Sequence, residues 1–296
     1  MEPILQLGLE TIYWMQKFRN PLLDAFFHAI TILGNGGFYL LVFPIVYWCF
    51  DRKLAARIGL VVLLSGLLNF DLKELIGQPR PFYWDPDVQL HPASGFGLPS
   101  GHAQVTLSIG GYLILLYRHQ KITLLITMLV FFIGLSRIYL GVHFPTDVLA
   151  GWAVGVAFLS IYWPLEKPLS RWLARQTLFF QSLLVILVPI GLYLIFPNPR
   201  AVIVTGSMIG LGFGYLLNQN VCTFDKPPTR PLFWLRLIVS LFLTILLLFG
   251  LRSIFPSPEA SGYVFWRLIR YCLTGFFITF LAPCLFKQWE SFFRKR

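Results

Sequence analysis

The sequence predicts an all-α protein, a polytopic helical membrane protein that crosses a membrane about nine or ten times. Hydrophobic residues make up 56% of the 296 residues. Charged residues make up 12%, about half the share that is typical of a soluble domain. Because so few charges could not cover the surface of a soluble protein, the composition excludes nearly all soluble enzymes, disordered chains and coiled coils.

The charge balance is strongly basic, with 24 Lys and Arg against 13 Asp and Glu and a net charge of +11. A nucleic-acid-binding protein would carry basic stripes on a soluble domain, so we expect no nucleic acid partner. The cysteines show no metal-ligand spacing and no disulfide framework, and three of the four lie in or beside apolar segments, where we expect a thiol to act as a small apolar side chain. They are Cys49, Cys222, Cys272 and Cys284.

The first 35 residues are apolar but do not contain one clean span. Residues 3–16 include Glu10, and residues 21–33 are too short to cross a bilayer alone. We expect an interfacial helix followed by a short or re-entrant helix that ends at Gly34-Asn35-Gly36-Gly37, with a tilted first span as the alternative. There is no basic leader and no cleavage pattern, so we do not expect a signal peptide.

Nine further apolar segments follow, and several of them reach the roughly 20 residues that a spanning helix needs, although some are short or interrupted. Most of the basic residues fall in every second connection between these segments, with Arg118, Lys121 and Arg236 as examples. The positive-inside rule places those connections in the cytoplasm and the loops that alternate with them on the other side. The predicted spans are 38–50, 56–74, 103–117, 122–140, 145–164, 178–196, 201–217, 232–250 and 262–286.

Three clusters of polar residues fall on the side opposite to the basic connections. Alone, each cluster has an ordinary explanation: a lysine that snorkels, a serine that caps a helix, or a local His–Asp hydrogen bond. Together they bring ionisable groups to one membrane face, where such groups are costly and indicate function. The clusters contain Lys73, Gly77, Pro79 and Arg80; Pro99, Ser100, Gly101 and His102; and Ser136, Arg137, His143 and Asp147.

The chemistry of these side chains favours a phosphate ligand. Arginine binds phosphate oxygens in a bidentate manner, lysine adds a compact charge, and the helix that follows Ser100 offers backbone N–H groups to an anion. His102 and His143 supply a proton donor and a nucleophile, and Asp147 can fix the tautomer of a histidine. No acidic cluster with metal-ligand spacing accompanies them, and cations can replace Mg²⁺, so we expect no metal and no cofactor.

The pattern Lys-x6-Arg-Pro, Pro-Ser-Gly-His and Ser-Arg-x5-His-x3-Asp resembles the type-2 phosphatidic acid phosphatase family of membrane lipid phosphatases. The resemblance covers about residues 20–165 and keeps the internal spacing of all three motifs. It implies a helical phosphatase core and metal-free chemistry. The matching positions are Lys73, Arg80, Pro81, Pro99, Ser100, Gly101, His102, Ser136, Arg137, His143 and Asp147.

The resemblance also implies a role for each residue of the site. His143 would form a phosphohistidine and Asp147 would orient it, while His102 would protonate the leaving group and then help to activate water. The residues that would hold the phosphoryl oxygens are Lys73, Arg80, Ser100, Gly101 and Arg137. The implied substrates are lipid phosphates or diphosphates, such as undecaprenyl diphosphate, phosphatidic acid, phosphatidylglycerol phosphate or a sphingoid-base phosphate.

Two other functions stay open at this point. A lipid phosphotransferase would use the same intermediate at His143 and pass the phosphoryl group to a second lipid. A non-enzymatic lipid transporter would also need many helices, although its charges would lie near the bilayer midplane and internal repeats would be expected. Vanadium haloperoxidases share the phosphate-site pattern, but they are soluble and the apolar spans argue against that chemistry.

The predicted organisation is a lipid phosphatase core over residues 1–170 and a C-terminal extension of four transmembrane helices over residues 171–296. In the extension, Gly206, Gly210 and Gly214 recur every four residues and predict close helix packing. We expect a homo-oligomer that forms through the C-terminal helices. The predicted location is a bacterial inner (plasma) membrane, with the active site on the extracytoplasmic face.

Overall fold

The computed structural model describes residues 3–195, 197–221, 229–257 and 260–294. Cys222 lies outside the described residues. Within them, every regular element is a helix, which confirms the all-α class. The helices are α1 Pro3–Gln16, α2 Pro21–Ile32, α3 Gly36–Ile45, α4 Arg52–Ile76, α5 Gly101–Tyr117, α6 Gln120–Tyr139, α7 Pro145–Ala174, α8 Leu178–Ile195, α9 Ala201–Val221, α10 Arg230–Ile254, α11 Tyr263–Phe276 and α12 Ala282–Arg294.

In the described part of the chain, seven helices are long and apolar enough to cross a membrane. The bent pair Pro21–Ile32 and Gly36–Phe50, whose two helices meet at 56°, raises the number to eight if the pair forms one span. α5 has 17 residues and is therefore about 25 Å long, somewhat less than the hydrocarbon core of a bilayer. The helical membrane class is confirmed, whereas the count of nine or ten spans is not.

Two helices run further than their apolar pattern indicates. The span predicted at 145–164 continues to Ala174, with Pro164 and Pro168 inside the helix. Each proline removes one helix hydrogen bond and crowds the carbonyl group four residues earlier, whereas the residues around these two, such as Glu166 and Lys167, favour helix. The last predicted span, 262–286, contains one π-helical turn at Phe277–Leu281 and then continues as α12 to Arg294.

The N-terminal segment forms the two helices that the sequence predicts. Asn20 caps α2, because its side chain accepts hydrogen bonds from the backbone N–H groups of Leu22 and Leu23. α2 ends at Ile32, just before Gly34, as expected. α1 buries Leu5, Leu9 and Ile12 in an apolar cluster with residues of the later helices. Whether α1 also lies at the membrane interface stays a prediction.

The chain divides into two compact units. The first unit comprises Met1–Tyr39 and Leu64–Pro168, and the second comprises Leu40–Leu63 and Leu169–Arg296. Residues Leu40–Leu63 therefore group with the C-terminal helices. The predicted functional division at residue 170, into a phosphatase core and a C-terminal transmembrane extension, remains a prediction.

Within the second unit, the glycine stripe of α9 allows close approach of α11. A Cβ atom on Gly206 would lie 2.5 Å from the carbonyl oxygen of Leu268, and one on Gly210 would collide with that of Cys272. The predicted packing role of the stripe is confirmed. The position of Arg236 differs from the prediction, which placed it in a cytoplasmic connection. α10 begins at Arg230, so Arg236 lies inside this helix, where it is 3% exposed.

Candidate active site

The three polar clusters meet at one end of the first unit. Lys73 lies near the end of α4, and Ser100 lies just before α5. Arg137 lies near the end of α6 and Asp147 in the first turn of α7, so four helix ends and their loops surround one point. Six of the eight predicted site residues are buried, and Gly101 and His102 are half-buried. The buried ones are Lys73, Arg80, Ser100, Arg137, His143 and Asp147.

His143 and Asp147 form the centre of the site. The Nδ1 atom of His143 lies 3.0 Å from Oδ2 of Asp147, and the backbone N–H of Phe144 donates to the same oxygen at 3.0 Å. Because a carboxylate only accepts hydrogen bonds, Nδ1 carries the proton and Nε2 keeps its lone pair. The His-x3-Asp spacing works because α7 begins at Pro145 and presents Asp147 beside the preceding loop.

Arg80 is held by the loop that comes after it in the chain and points at His143. Its Nη1 lies 3.0 Å from Nε2 of His143 and donates to the carbonyl oxygen of Val142 at 2.9 Å. Its other nitrogens donate to backbone carbonyls, Nε to Gly95 at 2.8 Å and Nη2 to Ser94 at 3.1 Å. The guanidinium is therefore positioned by backbone and faces the nitrogen that would attack a phosphorus atom.

Lys73 is anchored in the same way. Its Nζ donates to the carbonyl oxygens of Phe96 and Gly97, each at 2.7 Å. Gly97 has no room for a side chain, because a Cβ atom there would lie 2.9 Å from Oδ2 of Asp147. The loop thus brings the positive charge of Lys73 next to the His143–Asp147 pair.

α5 starts at the site with an uncapped N-terminus. Ser100 occupies the N-cap position, but its side chain makes no cap hydrogen bond, and its buried Oγ has no partner in the described part of the chain. Its backbone N–H donates to the carbonyl oxygen of Asp147 at 2.8 Å. The neighbouring turn is held by Asn69, whose amide donates to Pro99 at 3.1 Å and to Gln104 at 2.8 Å. An anion at this terminus would find a free hydroxyl and a favourable helix dipole.

α2 lines the other side of the site. The Nη1 atom of Arg137 donates to Oγ1 of Thr31 at 2.6 Å, while the buried Nε atom has no partner among the described residues. Gly34 packs on His102: a Cβ atom at Gly34 would lie 2.7 Å from Cδ2 of that ring. Arg137 is therefore oriented by one contact and keeps donor capacity for a ligand.

His91 lies in the loop between the first two motifs and pairs with a residue of α2. Its Nδ1 atom is 3.3 Å from Nδ1 of His28.

Burial sets the protonation of the central histidine. Removal from water, followed by the positive charges of Arg80 and Lys73, holds the pKa of His143 well below its usual range. The ring is therefore neutral at pH 7, which is the form that a nucleophile needs.

Three residues of the site were not indicated by the sequence motifs. Gln78 donates to Oδ1 of Asp147 at 2.7 Å, Thr31 binds Arg137, and Asn69 holds the turn before α5. Each is an uncharged polar residue, for which a surface position is the ordinary expectation. The sequence feature that could have indicated Thr31 and Asn69 is their position in otherwise apolar segments. For Gln78 it is the position inside the first motif.

Metal ligands are not grouped in the described residues: no set of three or more His, Cys, Asp or Glu side chains is placed to hold an ion. The expectation of metal-independent chemistry stays a prediction, which activity in the presence of a chelator would test.

Two family models match the chain. The model described as "PAP2 superfamily" matches residues 54–171, which contain all eight site residues. The model described as "PAP2 superfamily phosphatase, transmembrane extension" matches residues 202–292, in the second unit.

Three curated relatives support the same assignment. Phosphatidylglycerophosphatase B of Bacillus subtilis is 32% identical over 52% of this chain and 80% of that protein. Sphingosine-1-phosphate phosphatase 1 of Rattus norvegicus is 27% identical over 92% of this chain and 74% of that protein. Lipid phosphate phosphatase delta of Arabidopsis thaliana is 28% identical over 57% of this chain, which spans only 44% of the plant protein.

The family models, the relatives and the apolar helices agree, and they make this chain an integral membrane phosphatase that belongs to the PAP2 superfamily.

Proposed function

We propose that this chain is a lipid phosphatase that transfers the phosphoryl group of a lipid phosphate first to His143 and then to water. The observation that carries the proposal is the arrangement around His143. Asp147 holds the Nδ1 proton, and the unprotonated Nε2 faces Arg80 at 3.0 Å. This is the geometry of an oriented nucleophile next to an oxyanion-stabilising cation.

In the first step, Nε2 of His143 attacks phosphorus and the bond from phosphorus to the lipid oxygen breaks. The leaving oxygen takes a proton from His102, so a lipid alcohol is released. Arg80, Lys73 and Arg137 neutralise the negative charge that spreads over the phosphoryl oxygens in the transition state. The hydroxyl of Ser100 and the backbone N–H of Gly101 assist them at the start of α5.

In the second step, His102 in its neutral form accepts a proton from water as the water oxygen attacks phosphorus. The bond between phosphorus and Nε2 breaks, inorganic phosphate leaves, and His143 regains its lone pair. Asp147 stabilises the imidazolium character of His143 in both steps, in the manner of the acid of a catalytic triad.

For the substrate, we propose a sphingoid-base 1-phosphate as the first candidate. The rat sphingosine-1-phosphate phosphatase aligns with 92% of this chain, including most of the C-terminal helices. The bacterial phosphatidylglycerophosphatase aligns with 52%. Phosphatidylglycerol phosphate, phosphatidic acid and undecaprenyl diphosphate follow as alternatives.

The test is phosphate release by the purified protein across these four lipids, with and without a chelator, beside a His143→Ala variant. We expect release from at least one lipid phosphate, full activity in the chelator and no release by the variant. Activity that survives His143→Ala would contradict the mechanism. Addition of a lipid acceptor would distinguish a phosphotransferase, which would form a new phosphorylated lipid in place of inorganic phosphate.

We also propose nine crossings, formed by the seven long helices, the bent pair and α5. The site would then open on the extracytoplasmic face, because the basic connection at Arg118 and Lys121 lies at the opposite end of α5 and α6. A bacterial inner membrane and a homo-oligomer through the C-terminal helices remain predictions.

A further inference from the structure

We propose that Gln78 is a positioning residue for catalysis, which holds the Asp147 carboxylate in the orientation that His143 requires. The inference rests on the proposed function and adds a fourth member to the hydrogen-bonded set around the nucleophile. Gln78 occupies one of the six unspecified positions between Lys73 and Arg80, so no motif assigns it a role.

The two oxygens of Asp147 have different partners. Oδ2 accepts from Nδ1 of His143 and from the backbone N–H of Phe144, both at 3.0 Å. Oδ1 accepts from Nε2 of Gln78 at 2.7 Å, which is the shortest of the three hydrogen bonds. The side-chain amide of Gln78 therefore fixes the rotation of the carboxylate about its Cβ–Cγ bond.

Gln78 is itself held in place by backbone on both sides. It lies between Gly77, whose φ of 67° ends α4, and Pro79, which cannot continue a helix. Its own carbonyl oxygen accepts from the backbone N–H of Gly97 at 2.8 Å. Because Gly97 also packs directly on Oδ2 of Asp147, the loop encloses the carboxylate on two sides.

A donor at this point matters because the carboxylate is buried, and an oxygen without a partner there is costly. Without the amide, Asp147 would rotate to find another donor, and the cations that act on its carboxylate are Lys73 of α4 and Arg80 of the following loop. Both cations are assigned to the phosphate. Gln78 thus keeps Asp147 on His143 and leaves the cations for the substrate.

The experiment compares the wild type with Gln78→Glu and Gln78→Leu, using kcat and KM for the best lipid substrate from pH 5 to pH 8. Glutamate has nearly the same shape as glutamine but donates a hydrogen bond only when it is protonated. We expect Gln78→Leu to lower kcat by about 10- to 100-fold with little change in KM. The analogy is with metal sites, where loss of a residue that orients a metal ligand has an effect of this size.

The Gln78→Glu variant separates positioning from space filling. We expect its kcat relative to the wild type to rise at least tenfold as the pH falls from 8 to 5, because the acid form restores the donor and removes the second negative charge. The groups that face this carboxylate pair are Lys73, Arg80 and His143. The matched control is Gln89→Leu in the same loop. The exposed amide of Gln89 donates to the carbonyl oxygen of His91, and we expect this variant to keep kcat within twofold of the wild type.

A kcat ratio for Gln78→Glu that stays constant with pH, or a Gln78→Leu variant within twofold of the wild type, would overturn the inference. Thermal unfolding of each variant in detergent shows whether a loss comes from folding, and Gln78→Glu keeps the test decisive even if Gln78→Leu does not fold. A wild-type chain that releases no phosphate would instead overturn the proposed function, so the two failures are distinguishable.

Discussion

Both units bury arginine, but they use it differently. In the first unit, Arg80 donates to backbone carbonyls and also faces Nε2 of His143 at 3.0 Å. In the second unit, Arg236 donates to the carbonyl oxygen of Trp48 at 3.1 Å, and its guanidinium lies over the ring of Phe286 at 5.7 Å. The contacts of Arg236 are those of packing, whereas those of Arg80 lead to a nucleophile and a carboxylate.

The difference shows that a buried charge in a membrane protein does not by itself indicate a site. In the first unit the polar residues converge: Gln78, Asp147, His143 and Arg80 form one continuous chain of hydrogen bonds. In the second unit Asn218 accepts from Arg52 at 3.2 Å, and Thr205 bonds to the backbone of its own helix. Convergence, rather than burial, distinguishes chemistry from structure.

The largest effect is expected at Asp147, and it contrasts two carboxylates of the same helix. Asp147→Asn keeps the shape but lets the amide favour the wrong tautomer of His143, so kcat should fall by about 10⁴-fold. Glu166→Gln, further along α7, changes a carboxylate that accepts from Tyr112 at 3.1 Å and should leave kcat within twofold. Steady-state kinetics of both variants test this, and equal losses would contradict the assignment of roles.

The next effect compares the two arginines directly. Arg80→Ala removes a donor to the phosphoryl oxygens and should lower kcat/KM by about 10²- to 10³-fold while the protein remains folded. Arg236→Ala removes packing and a backbone contact, so it should lower the unfolding temperature in detergent by several degrees and leave kcat/KM of the folded protein within twofold. A large fall in kcat/KM of the folded Arg236→Ala variant would contradict the structural role assigned to Arg236.

A smaller effect concerns pH. Since burial and neighbouring cations lower the pKa of His143 from its ordinary value of 6.5, the ring stays neutral to a lower pH than a free histidine. The acid limb of the kcat/KM profile reports the free enzyme, and its midpoint should therefore lie below pH 6.5. A pH–rate profile between 4.5 and 9 checks this expectation. A midpoint of the acid limb at or above pH 6.5 would contradict the lowered pKa of His143.

The smallest expected effect is on stability alone, in the second unit. Gly210→Ala places a methyl group against the carbonyl of Cys272, and such overpacking costs about 1–3 kcal/mol. Gly191→Ala in α8, where a Cβ atom would have no neighbour within 4 Å, should be neutral or slightly stabilising. Unfolding in detergent measures both, and kcat should be unchanged in each. Equal unfolding temperatures would contradict the close approach of α9 and α11.

Most helices were predictable because apolar length is a strong signal, and segments such as α6 and α8 agree with the pattern within two residues. Helix ends were less predictable where the pattern turns polar without a break. α7 continues past its predicted end through Glu166 and Lys167, and α12 continues past the predicted end of the last span through Trp289. The grouping of Leu40–Leu63 with the C-terminal helices depends on tertiary packing and has no signature in composition.

For the site, every charged residue and histidine was predictable, because ionisable groups stand out in an apolar chain. Three uncharged residues of the site were not predictable, namely Gln78, Thr31 and Asn69. The role of an amide or a hydroxyl depends on the path of the loop beside it. That path is set by contacts such as Gly97 against Asp147, which only the folded chain brings together.

The central claim is that His143 carries the phosphoryl group, and trapping the intermediate tests it most directly. A lipid phosphate labelled with ³²P is mixed with the enzyme, the reaction is stopped rapidly in alkali, where phosphohistidine survives, and the label is located by peptide mass spectrometry. We predict one labelled residue, His143, and no label in His143→Ala. Label on another residue, or phosphate release by a wild-type enzyme that never becomes labelled, would contradict the account.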